Sequence, residues 1–145
     1  MSDSLKLENQ LCHRFYLLSN AFTRAYRPLL EKLDVTYSQY LVLMALWEQD
    51  NITIASLLQK TGIDGGAMSP ILKRLTQKDY LTIEKDENDK RVKLVQLTKA
   101  GHALKGEAES IPTQMMCKLN NMSFDEAKEL IETLDKLKSC LVETN

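Results

Sequence analysis

Apolar residues at Leu5, Leu7, Leu11, Phe15, Leu18, Phe22, Ala25, Leu29 and Leu30 recur close to every 3.6 positions. This period predicts a helical stretch over residues 5–33. Pro28 falls inside it, removes one backbone hydrogen bond and is expected to kink the last turn. Asp34-Val35-Thr36 breaks the pattern. Ser38 is then placed to cap a second helix over residues 40–48, with Tyr40, Leu41, Leu43, Met44 and Trp47 as its apolar set. Asn51-Ile52-Thr53 reads as a brief extended link, and Thr53 as the cap of a helix over residues 54–60. The run Thr61-Gly62-Ile63-Asp64-Gly65-Gly66 is a turn of the kind that joins two helices. A helix over residues 67–78 follows, burying Met68, Ile71, Leu72 and Leu75. Pro70 sits in its first turn, where a missing N–H matters little.

At residue 81 the period falls to two. Leu81-Thr82-Ile83-Glu84-Lys85 alternates apolar and polar, residues 92–97 do so less strictly, and both read as strands. The charged stretch between them holds the turn-prone Asn88-Asp89 and makes a hairpin. Two helices, a tight turn and a charged hairpin in this order are a winged helix-turn-helix, over about residues 37–97. The fold class is mainly α with a small β-hairpin wing. Helix resumes after Thr98, over residues 99–119, made irregular by Gly101, Gly106 and Pro112. Ser123-Phe124-Asp125-Glu126 is a capping box opening the last helix, whose stripe is Phe124, Ala127, Leu130, Ile131, Leu134, Leu137 and Leu141. The terminal helical segments, residues 5–33 and 99–144, carry more apolar face than so small a core can cover. A second copy of the chain is the economical place to bury it, so a homodimer is expected.

Composition narrows the picture without deciding it. The 145 residues suffice for a single domain with a real core, taken here as residues 1–145. Lys+Arg 19 against Asp+Glu 20 leaves a net charge of −1, so any contact with nucleic acid rests on a local basic patch. The first ten residues hold no apolar leader core and no stretch reaches the length of a membrane span. A cytoplasmic location without membrane contact is expected, where cysteines are ordinarily reduced. Cys12, Cys117 and Cys140 are too widely spaced for a structural disulfide framework. With no C-x-x-C, and with His13 and His102 far apart in sequence, neither metal nor cofactor is expected.

The candidate chemistry has bland and sharp readings. A lone cysteine on an apolar helical face is ordinarily a small buried hydrophobe. Cys117, after Met115-Met116, and Cys140, beside Leu137 and Leu141, also suit packing. Tyr16 and Tyr40 fit the core stripes. Tyr26 and Tyr37 are interface aromatics, or else phenol donors to Cys12. Cys12 and Tyr26 share a helix face but lie about 21 Å apart along it, so any partnership between them crosses a dimer. Lys73 and Arg74 lie on the second helix of the helix-turn-helix, which favours DNA over a merely solvated pair. Arg91 at the wing tip suits minor-groove insertion better than pairing with a surface carboxylate. His13 and His102 read as structural.

This order of elements resembles the MarR family of dimeric winged-helix regulators over nearly the whole chain. Leu11-Cys12, the run Ala25-Tyr26-Arg27-Pro28-Leu29-Leu30-Glu31-Lys32-Leu33 and the run Thr36-Tyr37-Ser38-Gln39-Tyr40-Leu41-Val42-Leu43 are similar to its organic-hydroperoxide-sensing branch. So is Ser69-Pro70-Ile71-Leu72-Lys73-Arg74-Leu75 in the recognition helix. Asp89-Lys90-Arg91 resembles the D-x-R of the family's wing, and Leu97-Thr98-Lys99-Ala100-Gly101 the opening of its fifth helix. The resemblance implies that Cys12 is the peroxide-reactive thiol, hydrogen-bonded by the partner subunit's Tyr26 and Tyr37. It implies that Cys117 is the second thiol of two-cysteine members, joining oxidised Cys12 in an intersubunit disulfide. It also implies that Ser69, Lys73, Arg74, Asp89, Lys90 and Arg91 meet an inverted-repeat operator. Two positions depart from the branch: His13 stands where an apolar aromatic is usual, and Gly66-Ala67-Met68 opens the recognition helix where a threonine is usual.

The expected function is therefore a repressor, not an enzyme, which organic hydroperoxide induces by oxidising Cys12 once per switching event. Two other readings stay open. A MarR-type repressor released by a reversibly bound aromatic ligand would not need Cys12. A thiol peroxidase would turn hydroperoxide over, but the chain lacks the βαβ pattern and C-x-x-C of thioredoxin-like folds.

Overall fold

In the computed structural model residues 3–142 are described, and the chain divides between Ile111 and Pro112 into two compact units. The hub of the first is α2 (Tyr37–Glu48). Its apolar residues surround the helix instead of forming one stripe, which suits a helix enclosed on all sides. Tyr40, Leu43 and also Val42, Ala45 and Leu46 are buried. The helix starts three residues earlier than expected because Thr36, not Ser38, is its cap. The Thr36 hydroxyl accepts from the Gln39 N–H at 3.3 Å, while Gln39 Oε1 accepts from the Thr36 N–H at 3.1 Å. That reciprocal box satisfies two donors and sets Tyr37 in the first turn.

Thr53 caps α3 (Ile54–Thr61) as expected, and Gly62 ends it in the left-handed conformation, φ +71°. The next helix, α4 (Gly65–Gln77), begins two residues early because the Asp64 side chain accepts from the Ala67 N–H at 3.1 Å. Pro70 consequently stands in the second turn, not the first, and leaves the Gly66 carbonyl without its helical donor. Met68, Leu72 and Leu75 are buried on the inner side.

Strands β1 (Ile52–Thr53), β2 (Leu81–Lys85) and β3 (Lys93–Leu97) form an antiparallel sheet in the order β1-β3-β2. The segment expected as a mere link is thus a third strand. It is held there by Asp50, whose Oδ1 accepts from the Leu97 N–H at 2.9 Å. Ile52 and Ile83 both pair with Val95, and Leu81 pairs with Leu97. Alternation along each strand turns Leu81, Val95 and Leu97 to the core.

The helix expected over residues 99–119 is two. α5 (Lys99–Ala108) is capped by Thr98, and α6 (Ile111–Lys118) follows a turn at Glu109-Ser110. Pro112 has no N–H for the Ala108 carbonyl, and its ring crowds that carbonyl, which favours the break found here.

The N-terminal helix also starts late. Short 3-10 turns at Asp3–Leu5 and Leu7–Asn9 precede Gln10, which is extended (φ −92°, ψ 114°), and only then does α1 (Leu11–Leu30) begin. The chain leaves α1 through a 3-10 turn at Glu31–Leu33 and a left-handed Asp34, φ 53°. Leu30 and Leu33 are buried, whereas Leu11, Leu17 and Leu18 are at least half exposed. Tyr16, expected in the core, is 66% exposed. α1 therefore meets the core at its C-terminal end only.

In the second unit the Ser123–Glu126 box forms as expected, with bonds of 2.7 and 3.1 Å, and opens α7 (Phe124–Val142). Phe124, Ile131 and Leu141 on this helix are exposed. No helix among the described residues is long and apolar enough to cross a membrane.

Candidate DNA interface and thiol site

On α4 the buried side fixes the outer one. With Met68, Leu72 and Leu75 turned inward, Ser69 and Lys73 share an exposed face at i, i+4 spacing, and Arg74 is exposed beside them. The Ser69 hydroxyl donates to the Gly65 carbonyl at 3.4 Å, a weak tie that leaves its lone pairs outward. Arg74 also borders an open groove of about 400 Å³ with Arg27, Glu31, Asp34, Gln39 and Lys78. Lys78 is paired with Asp34 at 3.0 Å.

The wing tip is shaped by short-range bonds. Val92 accepts from the Asp86 N–H at 2.9 Å, closing the hairpin, and Asp86 Oδ1 accepts from the Asn88 N–H at 2.8 Å. Asp89 then grips Arg91 three ways. Its Oδ1 accepts from the Arg91 backbone N–H and from Nε, each at 3.1 Å, and Oδ2 accepts from a terminal guanidinium nitrogen at 3.3 Å. These bonds from Arg91, side chain first, hold the Asp89 carboxyl below its ordinary range. Arg91 thus pairs with a surface carboxylate, the reading the sequence disfavoured, and its side chain is still 92% exposed. Asp89 aims the guanidinium without covering it. Lys90 stands exposed between them.

Cys12 is the second residue of α1 and is exposed. The extended Gln10 precedes the helix, so Cys12 stands in its first turn. Arg14 ties the preceding turns to this end, donating to the Gln10 carbonyl at 3.0 Å and the Glu8 carbonyl at 2.7 Å. Cys117 on α6 and Cys140 on α7 are likewise free and exposed. Cys140 is thus not packed in the chain as its apolar neighbours suggested. His13 is partly buried, its ring 6.5 Å from that of Tyr16.

The structure brings Tyr26, near the end of α1, onto Tyr37 in the first turn of α2, with ring centroids 4.6 Å apart. Tyr40 lies 6.0 Å from Tyr26 and 6.4 Å from Tyr37. Burial raises the ionisation of all three phenols above the ordinary tyrosine range, and charge repulsion from Tyr37 adds to this at Tyr26 and Tyr40. At neutral pH each is therefore a hydrogen-bond donor, not a phenolate. Cys12 lies near the opposite end of α1 from Tyr26, about 21 Å away by helical rise. The direct ring contact between Tyr26 and Tyr37 is the feature the sequence reading did not specify. A signal for it was present, since Thr36-x-x-Gln39 is a capping-box pattern and fixes where α2 starts.

The sequence profile of the MarR family matches residues 35–93. The chain is 38% identical over 143 residues to the organic hydroperoxide resistance transcriptional regulator of Bacillus subtilis, covering 99% of this chain and 97% of that one. It is 34% identical over 128 residues to the HTH-type transcriptional regulator SarZ of Staphylococcus aureus, covering 88% and 86%. Among solved structures, reduced AbfR of Staphylococcus epidermidis bound to DNA superposes with a TM-score of 0.80 at 30% identity, covering 97% of this chain and 99% of that one. The disulfide-formed structure of AbfR gives 0.63 at 32% identity, covering 93% and 94%. On this similarity along nearly its whole length, the chain belongs to the MarR family of winged-helix DNA-binding regulators.

Proposed function

We propose that this chain is a cytoplasmic, homodimeric transcriptional repressor that senses organic hydroperoxides by oxidation of Cys12 and then releases its operator. The observation that carries this reading is the pair of neutral phenols, Tyr26 and Tyr37, in contact at 4.6 Å with ring planes 31° apart, while the exposed Cys12 lies at the other end of the helix that bears Tyr26. Neither phenol can reach the Cys12 of its own chain. An antiparallel second copy of α1 would bring each cysteine to the other chain's tyrosines and cover the exposed Leu11, Leu17 and Leu18. Dimerisation is assigned to the terminal segments, about residues 5–33 and 99–144, of which 143 and 144 lie outside the described residues.

The chemistry is a two-electron oxidation. The Cys12 thiolate attacks the distal peroxide oxygen, an S–O bond forms as the O–O bond breaks, and the alkoxide leaves as alcohol with a proton. The product is a sulfenic acid. Attack by the partner subunit's Cys117 thiolate then forms the disulfide and expels the oxygen as water. Once the sulfur is no longer an anion, Tyr26 and Tyr37 lose the acceptor that held them. The first helices shift and alter the spacing between the two recognition helices, which operator half-sites require to be fixed.

Non-reducing electrophoresis tests the thiol part. Wild type treated with cumene hydroperoxide is expected to run as a covalent dimer, and Cys12→Ser and Cys117→Ser each to abolish it. A covalent dimer that survives Cys117→Ser and disappears in Cys140→Ser moves the second thiol to α7.

On the DNA side, Ser69, Lys73 and Arg74 are proposed to enter the major groove, and Arg91, aimed by Asp89 with Lys90 beside it, to enter the minor groove. Arg91→Ala is expected to weaken operator binding by about 1–3 kcal/mol, most where the flanks are rich in A·T. Lys73→Ala and Arg74→Ala are expected to weaken it at any flank. Titration of a fluorescent operator at fixed salt measures all three, and wild-type affinity in every variant contradicts the interface.

A further inference from the structure

Four aromatic rings run in contact from the end of α1 across α2. Tyr26 meets Tyr37 at a tilt of 31°, Tyr40 lies tilted at 6.0 and 6.4 Å from them, and Trp47 meets Tyr40 edge-on at 6.3 Å and 66°. Tyr37, Tyr40 and Trp47 stand at i, i+3 and i+10, so they share one side of α2. The line does not stop at the last ring. Trp47 Nε1 donates to the Gly101 carbonyl at 2.9 Å, in the first turn of α5. Gly101 in turn lies against the Tyr80 carbonyl, one residue before β2 begins the wing.

Tyr40 is the enclosed member, 3% exposed and in contact with both phenols of the pair and with Trp47. In a close-packed interior such a ring cannot turn without displacing its neighbours. The two outer phenols are only partly buried and so have room to move.

We propose that Tyr40 and Trp47 are positioning residues that carry the state of the Tyr26–Tyr37 pair to Gly101 and the base of the wing. The inference rests on the sensing function proposed above. Neither residue meets the sulfur. While the Cys12 thiolate accepts from both phenols, their rings are fixed and Tyr40 is held against them. When that acceptor is lost the pair repacks, Tyr40 follows, and the Trp47 bond to α5 is pulled or broken. The element with two arrangements is the line of rings, and its equilibrium is biased by the sulfur at one end and by DNA on the wing at the other.

Trp47 is the chain's one tryptophan, so its emission reads the line directly. DNA-free wild type is treated with cumene hydroperoxide, and Cys12 is followed by mass analysis in the same samples. Trp47 emission is expected to change in step with Cys12 oxidation. Tyr40→Leu is expected to bind the operator when reduced, and its Cys12 to oxidise, each within about 3-fold of wild type. Its ratio of reduced to oxidised affinity is expected to fall from about 100-fold to below about 5-fold. Tyr40→Phe, which keeps the ring, restores the wild-type ratio. Should Tyr40→Leu fail to fold by circular dichroism, wild-type emission and the Trp47→Phe ratio decide. Cys12 oxidised with emission unchanged, or Tyr40→Leu releasing DNA like wild type, overturns the relay alone. Cys12 left as a thiol by excess hydroperoxide overturns the sensing function and the relay together.

Discussion

Cys12→Ser is expected to bind the operator as tightly as reduced wild type and to keep binding it in the presence of organic hydroperoxide. The serine hydroxyl has nearly the shape of the thiol, its oxygen still accepts hydrogen bonds from the phenols, and it cannot take up the peroxide oxygen, so hydroperoxide leaves the tyrosines where they are. The ratio of affinities without and with hydroperoxide is expected to fall from about 100-fold to about 1, a loss of roughly 2.7 kcal/mol of coupling. Fluorescence anisotropy with a labelled operator measures both numbers. Tyr26→Phe and Tyr37→Phe are expected to act on rate instead, since each removes a donor to a charged acceptor worth about 1.5–3 kcal/mol. The same variant separates the alternatives. A repressor released by a reversibly bound aromatic ligand responds to that ligand whatever stands at position 12.

Gly101→Ala is expected to be the most destabilising single-methyl change in α5. A Cβ at Gly101 would collide with the Tyr80 carbonyl oxygen, which is fixed by the Thr98 N–H at 3.0 Å, and would crowd Leu97 at 3.1 Å. Backbone must move, and overpacking of this kind costs about 3 kcal/mol, or roughly 6–12 °C in Tm for a chain of this size. Gly106 in the same helix is the control, because a Cβ there meets nothing within 4 Å. Gly106→Ala is expected to stabilise by about 0.5–1 kcal/mol through helix propensity alone. Thermal melts of the two variants at equal concentration test the contrast, and equal shifts contradict it.

Gly101 also shows where sequence reading reaches its limit. In the sequence it is a glycine interrupting a helix, and its reason, the carbonyl of Tyr80 just before β2, is a tertiary contact that no local pattern encodes. The strands β2 and β3, the Thr53 and Thr98 caps and the Ser123 box were legible because each depends on residues within a few positions. Boundaries failed where two local signals competed. Ser38 and Thr36 both suit a cap, and Gln39 decides for Thr36. Asp64 outcompetes the two glycines after it as the start of α4. Pro112, noted only as an irregularity, favours the break in the long helix because it has no N–H for the Ala108 carbonyl.

The candidate site divides the same way. Periodicity placed the buried Met68, Leu72 and Leu75 of α4, and Ser69 and Lys73 are exposed on that helix as Arg91 is in the hairpin. The grip of Asp89 on Arg91 follows from i, i+2 spacing at a turn. By contrast, the contact of Tyr26 with Tyr37 depends on how the chain passes from α1 to α2, through a turn where Asp34 is left-handed. Tyr16 was misplaced for a related reason. Its stripe is apolar enough for a core, but α1 meets the core of its own unit only near its C-terminal end, through Tyr26, Leu29 and Leu30.

The central claim is that oxidation of Cys12 and loss of the operator are one event. One titration of wild type with organic hydroperoxide tests it, with operator binding and the mass of every cysteine-bearing peptide determined on each sample. The account predicts that the fraction of DNA released equals the fraction of Cys12 oxidised at every dose, and that a thiol reductant reverses both. Release with Cys12 still a thiol, or full oxidation of Cys12 with the operator still bound, would contradict it.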